Sequence, residues 1–349
     1  MKEHAIIPIF IPHRGCPHDC VFCNQKAITQ RRPDVTPADA RAVIEQWLST
    51  LSGRGLRRIE IAFYGGSFTG LPLEEQAAFL EVAHPFLQRQ QIHAIRLSTR
   101  PDFISEPVLE QLRRYHVETV ELGVQSFDPE VLAASRRGHT AEQVEEACRM
   151  IRDHGFRLGI QLMIGLPEDS HEKCVASAHR AARIRPDDAR LYPTMVLEDT
   201  ALAELWRRGE YRPLTTEEAI RTTKDMYRIL RGAGVNIIRV GLKSSDMVGR
   251  DEQILAHPCP PAFRQLVEGE IAREDLEAQI EELMRGAGSR IAGPLTALTC
   301  ACHPDYFSTM VGNGKKNKRY LAEKYPYISI RYTVDPDLPA MTFRARSRD

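Results

Sequence analysis

The 349-residue chain has no run of about 18 apolar residues, the length a membrane-spanning helix requires, so no such span is expected. The one apolar stretch near its start, "AIIPIFIP", is short, holds two prolines and leads into His13 and Arg14 rather than small residues. That pattern does not read as a secretory signal peptide. Charge bias is missing as well: 47 basic residues balance 47 acidic ones, so nothing at whole-chain level marks a nucleic-acid binder, and any polyanion site must be a local patch. Cys148, Cys174, Cys259, Cys300 and Cys302 show no disulfide-framework spacing, which makes a reducing cytoplasm the expected compartment. Low-complexity linkers and internal repeats are also lacking, so no separate module is signalled between the ends.

What remains is a steady alternation to about residue 240. Short apolar runs ("IIPIFI", "RIEIAFY", "HAIRLS", "TVELGVQ", "RLGIQLMIG", "DARLYPTMV", "VNIIRVGL") read as strands. Amphipathic stretches at 37–51, 73–90, 105–115, 140–154, 170–184, 199–208 and 215–232 read as helices, several opened by Thr36, Thr140 or Thr215 as N-caps. Strand and helix in succession imply right-handed crossovers and a parallel sheet. Six or more units of roughly 30 residues favour an α/β fold with a partial TIM-type (β/α)6 barrel. The alternation lapses after about residue 245. A barrel over 1–245 and a small α+β cap packed on it over 246–349 are therefore expected, the latter with helices at 262–286 and 316–324, a strand at "YISIRY", and "GSRIAGPLTAL" open.

The chemistry concentrates in "IPHRGCPHDCVFCNQ", residues 11–25, where Cys16, Cys20 and Cys23 fall within eight residues in a loop after the first strand. In a strand-helix barrel that loop lies on the face where active sites assemble. A structural zinc wants four ligands, and no second close pair follows, although His13, His18 or Cys259 could complete one from a distance. Three thiolates can instead hold three irons of a 4Fe-4S cubane and leave the fourth iron open to a small molecule. Downstream, "FYGGSFTG" ends the second strand, and Gly65 and Gly66 let the backbone approach a ligand closely, their N–H groups offered as donors.

With these motifs together, the chain resembles the radical S-adenosylmethionine superfamily: "GCPHDCVFC" has the three-cysteine spacing, with Phe22 as the aromatic before the last cysteine. "ELGVQSFDPEVLAASRRGHT", "IQLMIGLPED" and "RLYPTMVLEDTALAELWRRGEY" are similar to the run shared by the Elongator catalytic-subunit family and the oxygen-independent coproporphyrinogen oxidases, more closely the former, over residues 4–245. The resemblance implies that Cys16, Cys20 and Cys23 ligate the cluster and that Gly65, Gly66 and Ser67 meet the methionyl amino group. Gln125 would bond the ribose or carboxylate, and Arg137 would pair with the carboxylate. Ser98 and Gln161 stand where the porphyrin enzymes have carboxylates, but are neutral here, and Gly165 and Pro167 would line the adenine edge. It also implies cleavage of S-adenosylmethionine to methionine and a 5′-deoxyadenosyl radical, with an electron from a flavodoxin or ferredoxin.

The Elongator family's acetyltransferase domain and basic N-terminal extension are not found in this sequence, so acetyl transfer is not expected. RNA or tRNA is the leading substrate class, with neither DNA nor a membrane implied. A porphyrinogen-type small molecule is the first alternative, and a zinc-stabilised binding protein without catalysis the second. Two features fall outside the motifs: "GNGKKNKRY" at 312–320, a local basic patch that could grip phosphates, and "CACH" at 300–303, which with Cys259 could bind a second metal.

Overall fold

The computed structural model describes residues 4–11, 15–16, 19–24, 35–241, 254–287 and 295–348. The chain divides into two compact units, Met1–Cys259 and Pro260–Asp349. The expected boundary at 245/246 lies outside the described residues.

The first unit is built on β1 (His4–Ile11), β2 (Arg58–Gly65), β3 (Ala94–Thr99), β4 (Val117–Gln125), β5 (Arg157–Ile164) and β6 (Asp188–Pro193). A further parallel strand, β8 (Asn236–Val240), follows β7 (Val196–Leu197) in the chain. Sheet order is β1-β2-β3-β4-β5-β6-β8, each neighbour parallel, a half-barrel left open between β1 and β8 among the described residues. Sequential neighbours in a parallel sheet require crossover helices. These are α1 (Pro37–Leu51), α2 (Leu73–Gln88), α3 (Glu106–Arg114), α5 (Ala141–Asp153), α6 (His171–Ile184) and α8 (Thr216–Gly232); the short α4 (Pro129–Ala134) and α7 (Ala201–Arg207) are additions. Capping boxes at Thr36/Asp39, Thr140/Gln143 and Thr215/Glu218 start α1, α5 and α8, each stabilising its helix by about 1 kcal/mol.

The stretch "DARLYPTMV" reads as one strand but forms two. After Pro193 the chain leaves the sheet, and Val196–Leu197 pairs antiparallel with β9 (Ile254–Ala256). Pro193 has no N–H to continue a ladder, which is the local reason for the break.

The second unit holds α9 (Phe263–Ala287), β10 (Ala297–Cys302), α10 (Phe307–Val311), α11 (Lys316–Lys324), β11 (Ser329–Val334) and β12 (Phe343–Ser347). Its sheet runs β11-β10-β12, with β10 parallel to β11 and antiparallel to β12. The open stretch "GSRIAGPLTAL" ends inside β10; β12 was not anticipated, because "FRARS" alternates only over five residues.

Candidate functional site

Side chains alternate across a strand, so one face of the half-barrel packs on the helices and the other looks inward. Ile61 and Phe63 of β2 and Ile95 and Leu97 of β3 belong to the core. Between them come Glu60, Tyr64, Arg96, Ser98 and, on later strands, Glu121, Gln161, Asp188, Arg190 and Tyr192. Arg96 is surrounded by carboxylates: Nη1 lies 3.2 Å from Glu60, Nη2 3.2 Å from Asp188, and Nε 3.1 Å from Glu121, off the line of a hydrogen bond. Arg190 donates to Glu121 at 2.5 and 3.1 Å, to Tyr64 at 2.8 Å and to Tyr192 at 3.3 Å. Exposure of Glu60, Arg96, Glu121 and Asp188 is 3–5%, so the set is balanced internally rather than by water. Burial pushes Glu60 up, but the hydrogen bond from Arg58 and the charge of Arg96 outweigh it and hold the carboxyl below its ordinary value. Tyr64 is pushed up to about 12, chiefly by burial. Sequence reasoning missed this network; the signal was present as charged residues set within the apolar runs "RIEIAFY", "HAIRLS", "TVELGVQ" and "DARLYP".

Gln125 and Gln161, two of the residues flagged by motif, do meet on this face: Gln161 Nε2 donates to Gln125 Oε1 at 3.2 Å. A bulge at Gly123/Gln125 and a left-handed backbone at Gln125, φ 70°, turn that side chain in at the end of β4. Ser98 stands opposite Glu121 in the β3–β4 register.

The cysteine loop leaves the end of β1 and is seated on the turn after β2. Gly15 has φ 75°, and a Cβ there would lie 2.1 Å from the Ser67 carbonyl oxygen; one on Gly70 would lie 2.1 Å from the Gly15 oxygen. Only two glycines allow the backbones this close. Gly65, φ 114°, is required similarly where β2 passes the Ile11 carbonyl. Gly66 corrects one expectation: its N–H donates to Ile11 O at 2.9 Å, so this donor closes the strand ends rather than being offered to a ligand. Further along the loop, Val21 N–H donates to Ser135 O at 3.3 Å and Val21 O accepts from Leu202 N–H at 2.8 Å. Val21 and Phe22 pack with Val196, Leu202, Ala203 and Leu255, which gives β7 and α7 their role as a support under the loop.

Cys20 is buried and Cys16 and Cys23 are half-buried, all as free thiols. Two guanidinium groups approach Cys20 Sγ, Arg137 Nη1 at 3.1 Å and Arg100 Nη1 at 3.8 Å. Arg137 Nη2 donates to Gly123 O at 2.5 Å, and Arg100 donates to Asp102 and to the Arg137 carbonyl. Burial lowers the Arg137 guanidinium from its ordinary value, with Cys20 acting in the opposite sense. His139, from the same "RRGH", is pushed down to about 4 by burial and by Arg137 and Arg100, and stays neutral at physiological pH with Nε2 3.3 Å from Val124 O. Arg100 and Asp102 were not singled out by sequence; they lie just past β3 with no motif around them.

Among the described residues no three His, Cys, Asp or Glu side chains converge as a ligand set, so Cys16, Cys20 and Cys23 share one loop without being drawn together. His13 and His18, considered for zinc, lie outside the described residues. Gly165 is held through both its backbone groups, N–H to Asp169 at 3.0 Å and O from the Tyr211 hydroxyl at 2.6 Å, so it shapes the loop after β5. In the second unit, Cys300 and Cys302 lie two apart on β10, and burial pushes the thiols up to about 12 and about 11. Residues 312–320 form a tight turn and the start of α11 rather than a flexible loop. Lys315, Lys316, Lys318 and Arg319 are exposed there, but Asn317 is buried and donates to Gly269, Thr309 and Met310 carbonyls.

Residues 10–181 match the model of the Radical SAM superfamily, and 186–273 match that of the radical SAM C-terminal domain. The chain belongs to the radical S-adenosylmethionine superfamily. Its relatives include a tRNA uridine(34) acetyltransferase of Methanocaldococcus jannaschii, 29% identical over 62% of this chain and 47% of that protein. Elongator complex protein 3 of Mus musculus is 28% identical over 60% of this chain and 46% of its own length. The chain thus spans about half the length of these curated relatives. Among solved structures, archaeal Methanocaldococcus infernus Elp3 with an N-terminal deletion superposes with a TM-score of 0.58 at 23% identity, covering 83% of this chain and 64% of the other, which shows a shared fold. No helix among the described residues is long and apolar enough to cross a membrane.

Radical SAM enzymes generally bind a 4Fe-4S cluster and S-adenosylmethionine, and the residues here fit that pair. Three soft thiols occupy one loop. Ser67 Oγ and Arg137 Nε, on segments touching that loop, are buried without a hydrogen-bond partner, as expected of groups awaiting a polar ligand.

Proposed function

We propose that Cys16, Cys20 and Cys23 hold a 4Fe-4S cluster and that the chain uses it on S-adenosylmethionine, with RNA, tRNA in particular, as the final substrate. The observation that carries the reading is the seating of the three-cysteine loop on the Ser67–Gly70 turn, with Arg137 beside Cys20. The bound pair supplies one-electron reductive cleavage to a 5′-deoxyadenosyl radical, the electron coming from a flavodoxin or ferredoxin. The chain's own residues bind and orient. A methionyl ammonium is a donor, so carbonyls of the Gly65–Gly66 turn and Ser67 Oγ suit it; the carboxylate suits Arg137, already desolvated. Gln125 and Gln161, neutral and mutually bonded, suit ribose hydroxyls. Buried arginines at Cys20 and the packed support under Val21 and Phe22 keep water from that side of the loop. The tRNA reading takes its support from the names of the relatives, and a cytoplasmic setting accords with it.

Anaerobic reconstitution with iron and sulfide, followed by assay of 5′-deoxyadenosine with a strong reductant, tests the site. Wild type is expected to form it, and Cys20→Ala to form none while retaining the wild-type circular dichroism spectrum. Product in the Cys20→Ala protein, or zinc bound in place of a cluster in wild type, refutes the reading.

A further inference from the structure

The three-stranded sheet of the second unit has two unlike faces. Leu298, Cys300 and Cys302 of β10 are fully buried, with Phe343 and Ala345 of β12 beside them, and Gln279 of α9 bonds the β12 backbone at Phe343 O and Ala345 N, each at 2.9 Å. That face is the one α9 covers. On the other, β10 presents only Ala297, Thr299 and Ala301. Arg344 lies opposite Ala301 and Arg346 opposite Thr299, while Arg331 of β11 is in register with Thr299 from the other side. Arg348 continues the row, its N–H bonded to Ala297 O at 3.0 Å and its guanidinium 3.4 Å from Ser329 Oγ. Residues directly paired across strands share a face, so four exposed arginines stand on one surface with alanine, serine and threonine between them.

Among the described residues none of the four is in an ion pair, in contrast to Arg273, Lys316 and Lys324 of the same unit, which pair with glutamates on α9. No carboxylate occupies this face of the strands. An unneutralised row of guanidinium groups repels itself, and forked donors are suited to phosphate oxygens. Arg344, Arg346 and Arg348 are spaced two residues apart along the strand direction, about 6.8 Å per step, comparable to successive phosphates of an extended polynucleotide strand.

We propose that this face docks the phosphate backbone of RNA; the choice of RNA over other polyanions rests on the function proposed above. The paired positions of this face carry no aromatic side chain, since Phe343 and Tyr332 belong to the covered side and the exposed Tyr327 lies in the turn before β11, so the strands hold the backbone without reading bases. Those paired positions offer no large apolar anchor to a lipid surface either.

The test is binding of unfractionated tRNA to the full chain between 50 and 200 mM salt. One variant carries R331Q, R344Q, R346Q and R348Q, and a second carries lysine at the same four positions. The glutamine variant is expected to bind more weakly and to flatten the slope of log affinity against log salt by about 3, at roughly 0.7–0.9 per phosphate contact. The lysine variant should keep most of the slope, and neutralising Lys315, Lys316, Lys318 and Arg319 should change it less. Unchanged affinity and slope in the glutamine variant, no tRNA binding by wild type, or arginine-dependent binding to phosphatidylserine vesicles but not to tRNA each overturn the proposal. Thermal unfolding checks that the variants fold. 5′-Deoxyadenosine formation without RNA separates the two claims: its absence in wild type with arginine-dependent tRNA binding intact refutes the site alone, and the converse refutes this surface alone.

Discussion

Replacing Arg96 with methionine would leave Glu60, Glu121 and Asp188 buried around a vanished cation. Its contacts of 3.1–3.2 Å to all three make it the centre of the half-barrel's charge balance. Removing one partner of a buried ion set costs about 3–5 kcal/mol, because the opposite charge is left desolvated. For a unit of this size that corresponds to a fall in the thermal midpoint of roughly 6–20 °C. The loss should depend on pH. In wild type Glu60 is held below its ordinary value, so its contribution is present above the unfolded carboxyl pKa and is lost as pH falls through the folded one. In the variant Glu60 loses the charge of Arg96 and burial acts with less opposition on its carboxyl, so less stability is lost as pH falls than in wild type. The gap between the two proteins should therefore narrow from pH 7 towards about pH 4–5. Urea unfolding followed by circular dichroism at several pH values measures it. A loss below about 1 kcal/mol at pH 7, or one that does not change with pH, refutes the account of the interior as mutually compensated charge.

Three other outcomes follow from individual residues. His139 is depressed to about 4, so between roughly pH 4 and 6.5 the unfolded chain binds the extra proton; stability should fall as pH drops through that window, by up to about 3 kcal/mol, and His139→Gln should flatten the profile in urea unfolding. Gly15→Ala and Gly53→Ala share φ values of 75° and 76°, but only Gly15 has backbone within 4 Å of the new Cβ. Gly53→Ala should cost about 1 kcal/mol of strain, while Gly15→Ala should also displace the cysteine loop and reduce the iron bound on reconstitution; equal iron content in the two counts against the loop seating. Asn317→Ala leaves the carbonyls of Gly269, Thr309 and Met310 without their shared donor and should destabilise the second unit by about 1–3 kcal/mol in urea unfolding.

Much of the candidate site could be read along the chain because its signals are local. The C-x3-C-x2-C spacing, the glycine pair after "IEIAFY" and "RRGH" each sit within a few residues, and the period-2 runs mark the strands whose ends bear them. Arg100 escaped notice because it follows Thr99 with no motif around it; only the parallel order β1-β2-β3, which sets these strand ends on one edge, brings it to Cys20. The arginine face of the second unit escaped for the same reason, since Arg331 is separated from Arg344 by thirteen positions and joined to it only through β10.

Chain-local physics, the alternation of apolar periods, the threonine caps and the clustering of thiols, was enough to specify a parallel α/β half-barrel and to single out the loop proposed to carry its cofactor chemistry. Pairing across strands was needed for everything that depends on partners distant in sequence: which charges in the interior neutralise one another, which backbone donor of the glycine turn is already used, and which arginines share a surface. Strand period assigns a residue to a face, but only sheet order and register decide what it meets there.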